Sequence, residues 1–212
     1  MTEIVEFLLT VAAVWLIYKG VRFVVKRARL VRSLQKLSAL HSAKLTFLRF
    51  PLLPLSGRSK KPDVRLEFQS TVYLIRLYNG KGASRSVHFA SEEYSVIYNK
   101  IKTAIRAPKT QRGGRAVLNV GLSVGGKVRI LTPICKENYA KNNKKTVSIL
   151  LFTPAPGEVS YVSEERTSVR VAFTGDEFYG MKIFTRSTLI SFLDREARRE
   201  KEEMEKQLFY GF

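Results

Sequence analysis

From Phe7 to Tyr18 the chain reads FLLTVAAVWLIY, apolar on every side of a helix and interrupted only by Thr10, whose hydroxyl can bond back to its own backbone. Extended from Ile4 to Val25, the run takes in Glu6, Lys19 and Arg22. At about 1.5 Å per residue that length crosses a hydrocarbon core of roughly 30 Å, with Lys19 snorkelling to the headgroups. An in-plane helix needs a polar face, which residues 7–18 lack. A secretory signal peptide carries its positive charge before the apolar stretch. Here Glu3 and Glu6 precede it, and Lys19, Arg22, Lys26, Arg27, Arg29, Arg32 and Lys36 follow. The pattern predicts a transmembrane anchor over residues 1–25, Trp15 and Tyr18 at its interfacial end, and a basic juxtamembrane helix over 26–43. The positive-inside rule then places the N-terminus outside and the rest of the chain in the cytoplasm, at the cell membrane.

Helical spacing continues through Leu30, Leu34, Leu37 and Leu40, then gives way to alternation in KLTFLRF from Lys44. Three prolines and Gly57 make residues 51–62 a loop. DVRLEF and VYLIRLY flank a turn at Gln69-Ser70-Thr71 and predict an antiparallel hairpin, which Asn79-Gly80 ends. SRSVHFA predicts a third strand. Ser91, Glu92 and Glu93 followed by Tyr94, Ile97, Tyr98, Ile101 and Ile105 predict a helix. After a basic loop over 106–115, AVLNVGLSV and KVRIL are strand-like, and KENYAKNNKK is a polar connection. TVSILLFTP is the most continuously apolar strand and is expected in the centre of a sheet, buried on both faces. SVRVAF and MKIFT alternate across Gly175-Asp176, and Ser187 or Thr188 is expected to cap a final helix. The expected architecture is α+β: an N-terminal transmembrane helix, then one mixed or antiparallel sheet domain with flanking helices over 44–195. Residues 196–212 form a charged helical extension.

Composition narrows the function classes. Hydrophobic residues at 45% and charged residues at 26% of 212 belong to a folded chain, while Lys+Arg 37 against Asp+Glu 18 draws it to an anionic surface, lipid or nucleic acid. A single cysteine, Cys135, excludes an internal disulfide framework and any multi-cysteine metal site. Gly121 to Lys127, GLSVGGK, resembles a phosphate-cradling loop, but Val128 stands where a magnesium-binding hydroxyl belongs and VRIL continues as a strand; the glycines read as a turn. His41 and His88, the two histidines, have no Cys, Asp or Glu at ligand or triad spacing, and no GxSxG elbow is present.

Asp63 and Glu67 lie at i and i+4 of a strand, one face, where two carboxylates can hold a divalent cation; Arg65 between them favours the plainer reading of a wet sheet face. Arg76, Tyr78, Lys81, Arg85 and Phe89 interleave charge with aromatics in the manner of a nucleic-acid surface, with KTQRGGR adding charge. Membrane proximity accounts for a basic domain equally well.

Beyond the anchor and collar, KLTFLRFP from Lys44, KKPDVRLEFQSTVYLIRLY from Lys60, ILLFTPAP from Ile149 and GDEFYGMKIFTRSTLISFL from Gly175 resemble an uncharacterised group of membrane-anchored proteins of Gram-positive bacteria. The motifs are structural and imply no activity. The order of elements also resembles the core of the PD-(D/E)xK nucleases, with Pro62-Asp63 as the first metal-binding element and Leu74-Ile75-Arg76 as the second. That resemblance implies a degenerate site, since Leu74 is not acidic and Arg76 replaces the lysine.

Together these readings lead to a noncatalytic membrane-tethered module. It needs no cofactor. Lys19, Arg22, Lys26, Arg27, Arg29, Arg32 and Lys36 bind anionic lipid, and the domain binds a cytoplasmic protein partner. The alternative is a membrane-associated nucleic-acid-binding protein or degenerate nuclease using Asp63 and Glu67.

Overall fold

The computed structural model describes residues 2–49, 60–89, 95–100, 127–139, 144–162 and 169–210. Helix α1 (Thr2–Leu40) carries the apolar run into the domain without a break. The Thr10 hydroxyl donates to the Glu6 carbonyl at 2.8 Å, as its place in an apolar helix requires. Along the apolar run Phe7, Leu9, Val14, Leu16, Ile17, Val21, Val24 and Val25 are all exposed. Burial starts at Arg27 and continues at Leu30, Leu34 and Leu37, the i, i+3, i+7, i+10 spacing of one helical face.

That face packs on a six-stranded sheet of order β1-β2-β3-β7-β11-β10. Strands β1 (Lys44–Phe47), β2 (Val64–Glu67) and β3 (Thr71–Tyr78) form an antiparallel meander. Strand β7 (Lys145–Phe152) runs parallel to β3 on one side and to β11 (Met181–Thr185) on the other, and β10 (Glu177–Phe178) closes the edge antiparallel to β11. β3 is buried along all eight residues. Tyr73, Ile75 and Leu77 face the helical layer, Val72, Leu74 and Tyr78 the opposite layer. The central, doubly buried strand expected for TVSILLFTP is β7: Ile149 and Leu151 enter the first core, Leu150 and Phe152 the second.

The opposite layer is a second sheet of order β6-β5-β4-β8-β9. It contains β4 (Arg85–Phe89), β5 (Ser95–Lys100), β6 (Lys127–Ile130), β8 (Glu158–Val162) and β9 (Val169–Val171). Parallel neighbours need a long crossover. Here strands of the second sheet lie within it. β3 leads into β4 and β7 into β8, so the pair β3, β7 and the pair β4, β8 are both parallel. The two linking turns lie against each other: the Gly80 amide donates to the Pro154 carbonyl at 3.1 Å, and the Gly157 amide to the Arg85 carbonyl at 2.9 Å. A Cβ on Gly80 would fall 2.5 Å from Pro156 Cδ and 2.7 Å from the Pro154 carbonyl oxygen, so the contact requires glycine.

Helix α2 (Arg186–Tyr210) joins α1 on the first face through Leu189, Leu193 and Ala197. Its N-cap is Thr185. The Thr188 hydroxyl, three residues on, accepts the Thr185 amide at 3.0 Å, so Thr188 serves as the reciprocal partner of the cap. Beyond Glu200 the helix is largely exposed, laced by Arg199–Glu203 and Lys201–Glu205 pairs.

The class is α+β, with the strands divided between two sheets. The helix expected from Ser91 is overturned where it is described, since Ser95–Lys100 is strand β5. Val96, Ile97 and Tyr98 are β-branched or aromatic, and Phe89↔Val96 and Val87↔Tyr98 pairing to β4 outweighs the 3.6-residue spacing. SVRVAF and MKIFT do not pair; β9 lies in the second sheet and β11 in the first. Ile101, Ile105, the basic loop at 106–115, AVLNVGLSV, most of the 51–62 loop and Gly121–Gly126 lie outside the described residues.

Candidate functional site at the foot of the long helix

Past Val25, helix α1 divides its cations between two faces. Arg22, Lys26, Arg29, Arg32 and Lys36 are exposed on the side turned from the sheet; the side chain of Lys19 is outside the described set. Arg27, grouped with them by sequence, is turned the other way and is 1% exposed. Its position in line with Leu30 and Leu34 drives it into the domain, so it is not part of the exposed collar.

There it lies in the field of Asp63, the residue immediately before β2. Asp63 is buried, and its Oδ2 accepts the Leu77 amide at 2.7 Å, satisfying β3 beyond the point where β2 begins. The Asp63 carbonyl accepts the Leu48 amide at 2.9 Å and the Arg49 amide at 3.3 Å, which fixes the chain leaving β1 beside the acid. Arg49 Nη1 lies 3.9 Å from Asp63 Oδ1. Arg76, buried on β3, donates to the Thr132 carbonyl and shares the field of Asp63 and Arg49. Guanidiniums from α1, the end of β1 and β3 thus act on the charge of one carboxylate.

Burial pushes the Asp63 carboxyl up from its ordinary value, against the downward pull of the Leu77 amide, Arg49, Arg76 and Arg27. Burial also pulls Arg76 down to about 10, with Asp63 opposing, so the guanidinium keeps its proton at neutral pH. This is a charge cluster of low dielectric, where an unmatched group is costly.

Glu67 takes no part in it. Its Oε1 accepts Lys144 Nζ at 2.9 Å and its Oε2 accepts Arg65 Nη2 at 2.9 Å. The Lys144 hydrogen bond, followed by Arg65, holds its carboxyl below the usual range. Asp63 and Glu67 stand at opposite ends of β2, each answered by cations, so the two-carboxylate metal reading has no shared site. Among the described residues no group of three His, Cys, Asp or Glu side chains is placed to hold a metal.

The aromatic and basic set on β3 and β4 is not assembled as a surface. Arg76, Tyr78 and Phe89 are buried; Tyr78 meets Phe152 edge-on at 5.9 Å, and Phe89 stacks on Phe178 at 4.6 Å. Both histidines find partners that sequence spacing concealed. His41 Nε2 lies 2.8 Å from Asp194 Oδ1, tying the end of α1 to α2, and buried His88 Nδ1 lies 3.1 Å from Ser160 Oγ across β4 and β8. Burial lowers the His88 pKa. Cys135 is half-buried, its amide donating to the Lys60 carbonyl at 3.2 Å.

At the other end of β3 a cleft of about 770 Å³ opens between the starts of β3 and β7 and helix α2. Tyr73, Ser148, Lys136, Lys182, Glu196 and Glu200 line it. Glu200 accepts the Ser70 amide at 3.1 Å, and burial, followed by Glu196 and Glu200, pushes the Tyr73 phenol up and keeps it neutral. Charges of both signs and hydroxyls suit hydrogen-bonded docking of a polar chain more than bond-making chemistry. Nothing in the sequence marked this cleft, because its walls come from segments far apart in the chain.

The chain is therefore an α+β protein with, among the described residues, one helix long and apolar enough to cross a membrane. No family model, curated protein or solved structure matches it.

Proposed function

We propose that this chain is a single-pass membrane protein whose N-terminal helix anchors a noncatalytic binding domain on the cytoplasmic face of the cell membrane. The observation that carries the reading is where burial begins. The described apolar side chains from Ile4 to Val25 are left uncovered by the rest of the protein, and the first buried one among the described residues, Arg27, follows at once. About 33 Å of apolar helix thus precedes the domain, matched to a hydrocarbon core of roughly 30 Å. The exposed cations Lys26, Arg29, Arg32 and Lys36 then lie along the first turns outside the bilayer, with Arg22 in the last turn of the span, each worth about 1 kcal/mol beside an anionic leaflet. The charge order across the helix orients the domain inward.

A cytoplasmic protein partner is the natural occupant of the cleft between β3, β7 and α2, which opens roughly 20 Å from the anchor's foot, one length of β3 away. The test is extraction of bacterial membranes carrying the full chain with alkaline carbonate, and protease treatment of a C-terminal tag from the outer side. A carbonate-resistant chain with a protected tag is expected. Release by carbonate defeats the anchor, and a digested tag defeats the orientation.

A further inference from the structure

We propose that the end of the domain from which α1 emerges is a second membrane contact, with Phe173 and Leu48 seated among the lipids of an anionic leaflet. This contact rests on the membrane reading above and adds to it the surface that the domain turns to the bilayer. Three features point to it.

The first is place. Helix α1 runs the length of β3. The His41 ring lies 6.3 Å from that of Phe68, just before β3 begins, and Arg27 is in the field of Asp63, whose Oδ2 holds the Leu77 amide near the other end. The apolar span therefore leaves the domain where β3 finishes. Leu48 follows β1 at that end, its amide bonded to the Asp63 carbonyl at 2.9 Å. Phe173 belongs there too, because it shares a hollow with Pro156, Gly157 and Thr185, where β7 and β11 end. Val25, the last exposed apolar residue of the span, is about 3 Å of helix from Arg27, so this end lies at headgroup depth.

The second is exposure on a firm support. Phe173 is 71% exposed and Leu48 is 41% exposed. Single apolar residues on a surface are ordinary. Phe173, however, stands on a braced turn. Its amide donates to Asp176 Oδ2 at 2.8 Å, its carbonyl accepts the Asp176 amide at 3.1 Å, and the Gly175 amide donates to the Ile183 carbonyl at 2.9 Å. An aromatic ring on a backbone already ordered enters the interface with little further loss of chain entropy.

The third is charge. Lys81, in the turn after β3, and Arg186, at the start of α2, are exposed at the same end, while Asp176 and Glu158 near Phe173 are half-buried. Among the described residues the domain's exposed acids, Glu137, Glu177, Glu202, Glu203 and Glu205, lie at the cleft or beyond it, toward the far end. The end near the anchor thus meets an anionic leaflet with cations foremost. Two apolar side chains and a few cations hold a free domain weakly. The anchor makes the contact intramolecular, which raises its effective concentration.

Tryptophan fluorescence tests the contact and the anchor separately, because Trp15 is the one tryptophan of the chain. The full chain is reconstituted in bilayers of phosphatidylglycerol and phosphatidylcholine whose acyl chains carry bromine, a contact quencher, with unbrominated lipid as reference. Wild-type Trp15 reports on the anchor. In a Trp15→Phe background, Phe173→Trp and Leu48→Trp report on the proposed surface, and Phe209→Trp, at a position 85% exposed near the far end of α2, on the solvent side. The Phe173→Trp and Leu48→Trp chains are expected to lose much of their emission in brominated lipid and to be shielded from aqueous acrylamide. The Phe209→Trp chain should keep its emission and be quenched by acrylamide. Leu48→Trp carries the test if Phe173→Trp does not fold.

A Phe173→Trp chain that behaves as Phe209→Trp does, while wild-type Trp15 is quenched by the lipid, overturns the second contact and keeps the anchor. Lipid quenching of Phe173→Trp without quenching of wild-type Trp15 keeps the contact and defeats the anchor. Emission untouched by brominated lipid at both positions overturns both.

Discussion

Asp63 shows how much a single side chain can settle in this fold. It directly precedes β2, satisfies the Leu77 amide past the reach of β2, and supplies a carboxylate on whose charge Arg27, Arg49 and Arg76 act. Asp63→Ala leaves a buried amide without its acceptor and removes a carboxylate whose charge favours the cations near it. A loss of about 3–5 kcal/mol is expected in denaturant unfolding. Gly80→Ala acts through shape: its Cβ meets Pro156 and the Pro154 carbonyl well inside contact distance, and the two turns must separate, costing about 1–3 kcal/mol. His88 acts through protons. Its folded pKa is depressed, so the stability it lends is present above its ordinary 6.5 and is lost as pH falls through the lowered folded value. Unfolding midpoints of the wild type should drop as pH falls below about 6.5, while His88→Phe flattens that decline. Glu67 and Asp194 act lower on the scale. Their depressed carboxyls lend stability above the ordinary 4.5 and 3.8 that disappears as pH falls through the folded values.

At the scale of elements, α1 is one helix with two solvents. Its first part is uncovered on every side, and its second part is amphipathic, with Leu30, Leu34 and Leu37 inward and the collar outward. Leu34→Ala should therefore cost about 2–5 kcal/mol by emptying a core site shared with β3 and α2. Replacing Arg29, Arg32 and Lys36 by glutamine should leave unfolding nearly unchanged while weakening attachment of the domain to anionic vesicles, a loss read by salt-dependent accessibility of the domain to protease. The Thr185 and Thr188 pair gives α2 a defined start, and Thr188→Ala should cost about 1 kcal/mol through loss of the reciprocal bond. Strand β5 teaches the opposite lesson from α1. Its residues carry a helical spacing, yet their branched and aromatic side chains fit the pleat that β4 offers, and pairing decided the outcome.

For the whole molecule, the arrangement is helices on one sheet, that sheet on a second sheet, and a long bare helix leaving the helical layer. The two cores share the central strands β3 and β7, so damage to either strand is felt on both faces. The bare segment makes the protein's behaviour in water a prediction at this scale. Deleting residues 1–25 should give a chain that no longer sediments with membranes but unfolds with nearly the same midpoint, because burial begins only at Arg27. Retention of the truncated chain on neutral membranes would show that a surface other than the helix holds it there.

The sequence by itself determined what depends on neighbours along the chain. The apolar run, its charge order, strands β1 to β4, β7 and β11 and the closing helix are all periodic patterns, and periodicity reports which face of an element avoids water. The grouping of Arg27 with Lys26 and Arg29 followed charge alone, although its spacing to Leu30 and Leu34 already held the signal for the other face. Tertiary structure decided what depends on partners far apart: the division of the strands into two sheets, β5 as a strand, His41 on Asp194 across 153 positions, and Arg27, Arg49 and Arg76 brought to Asp63. Those contacts are selected by burial and pairing in the folded chain, where a charge must find its complement or stay in water, and no local pattern records which distant residue will supply it.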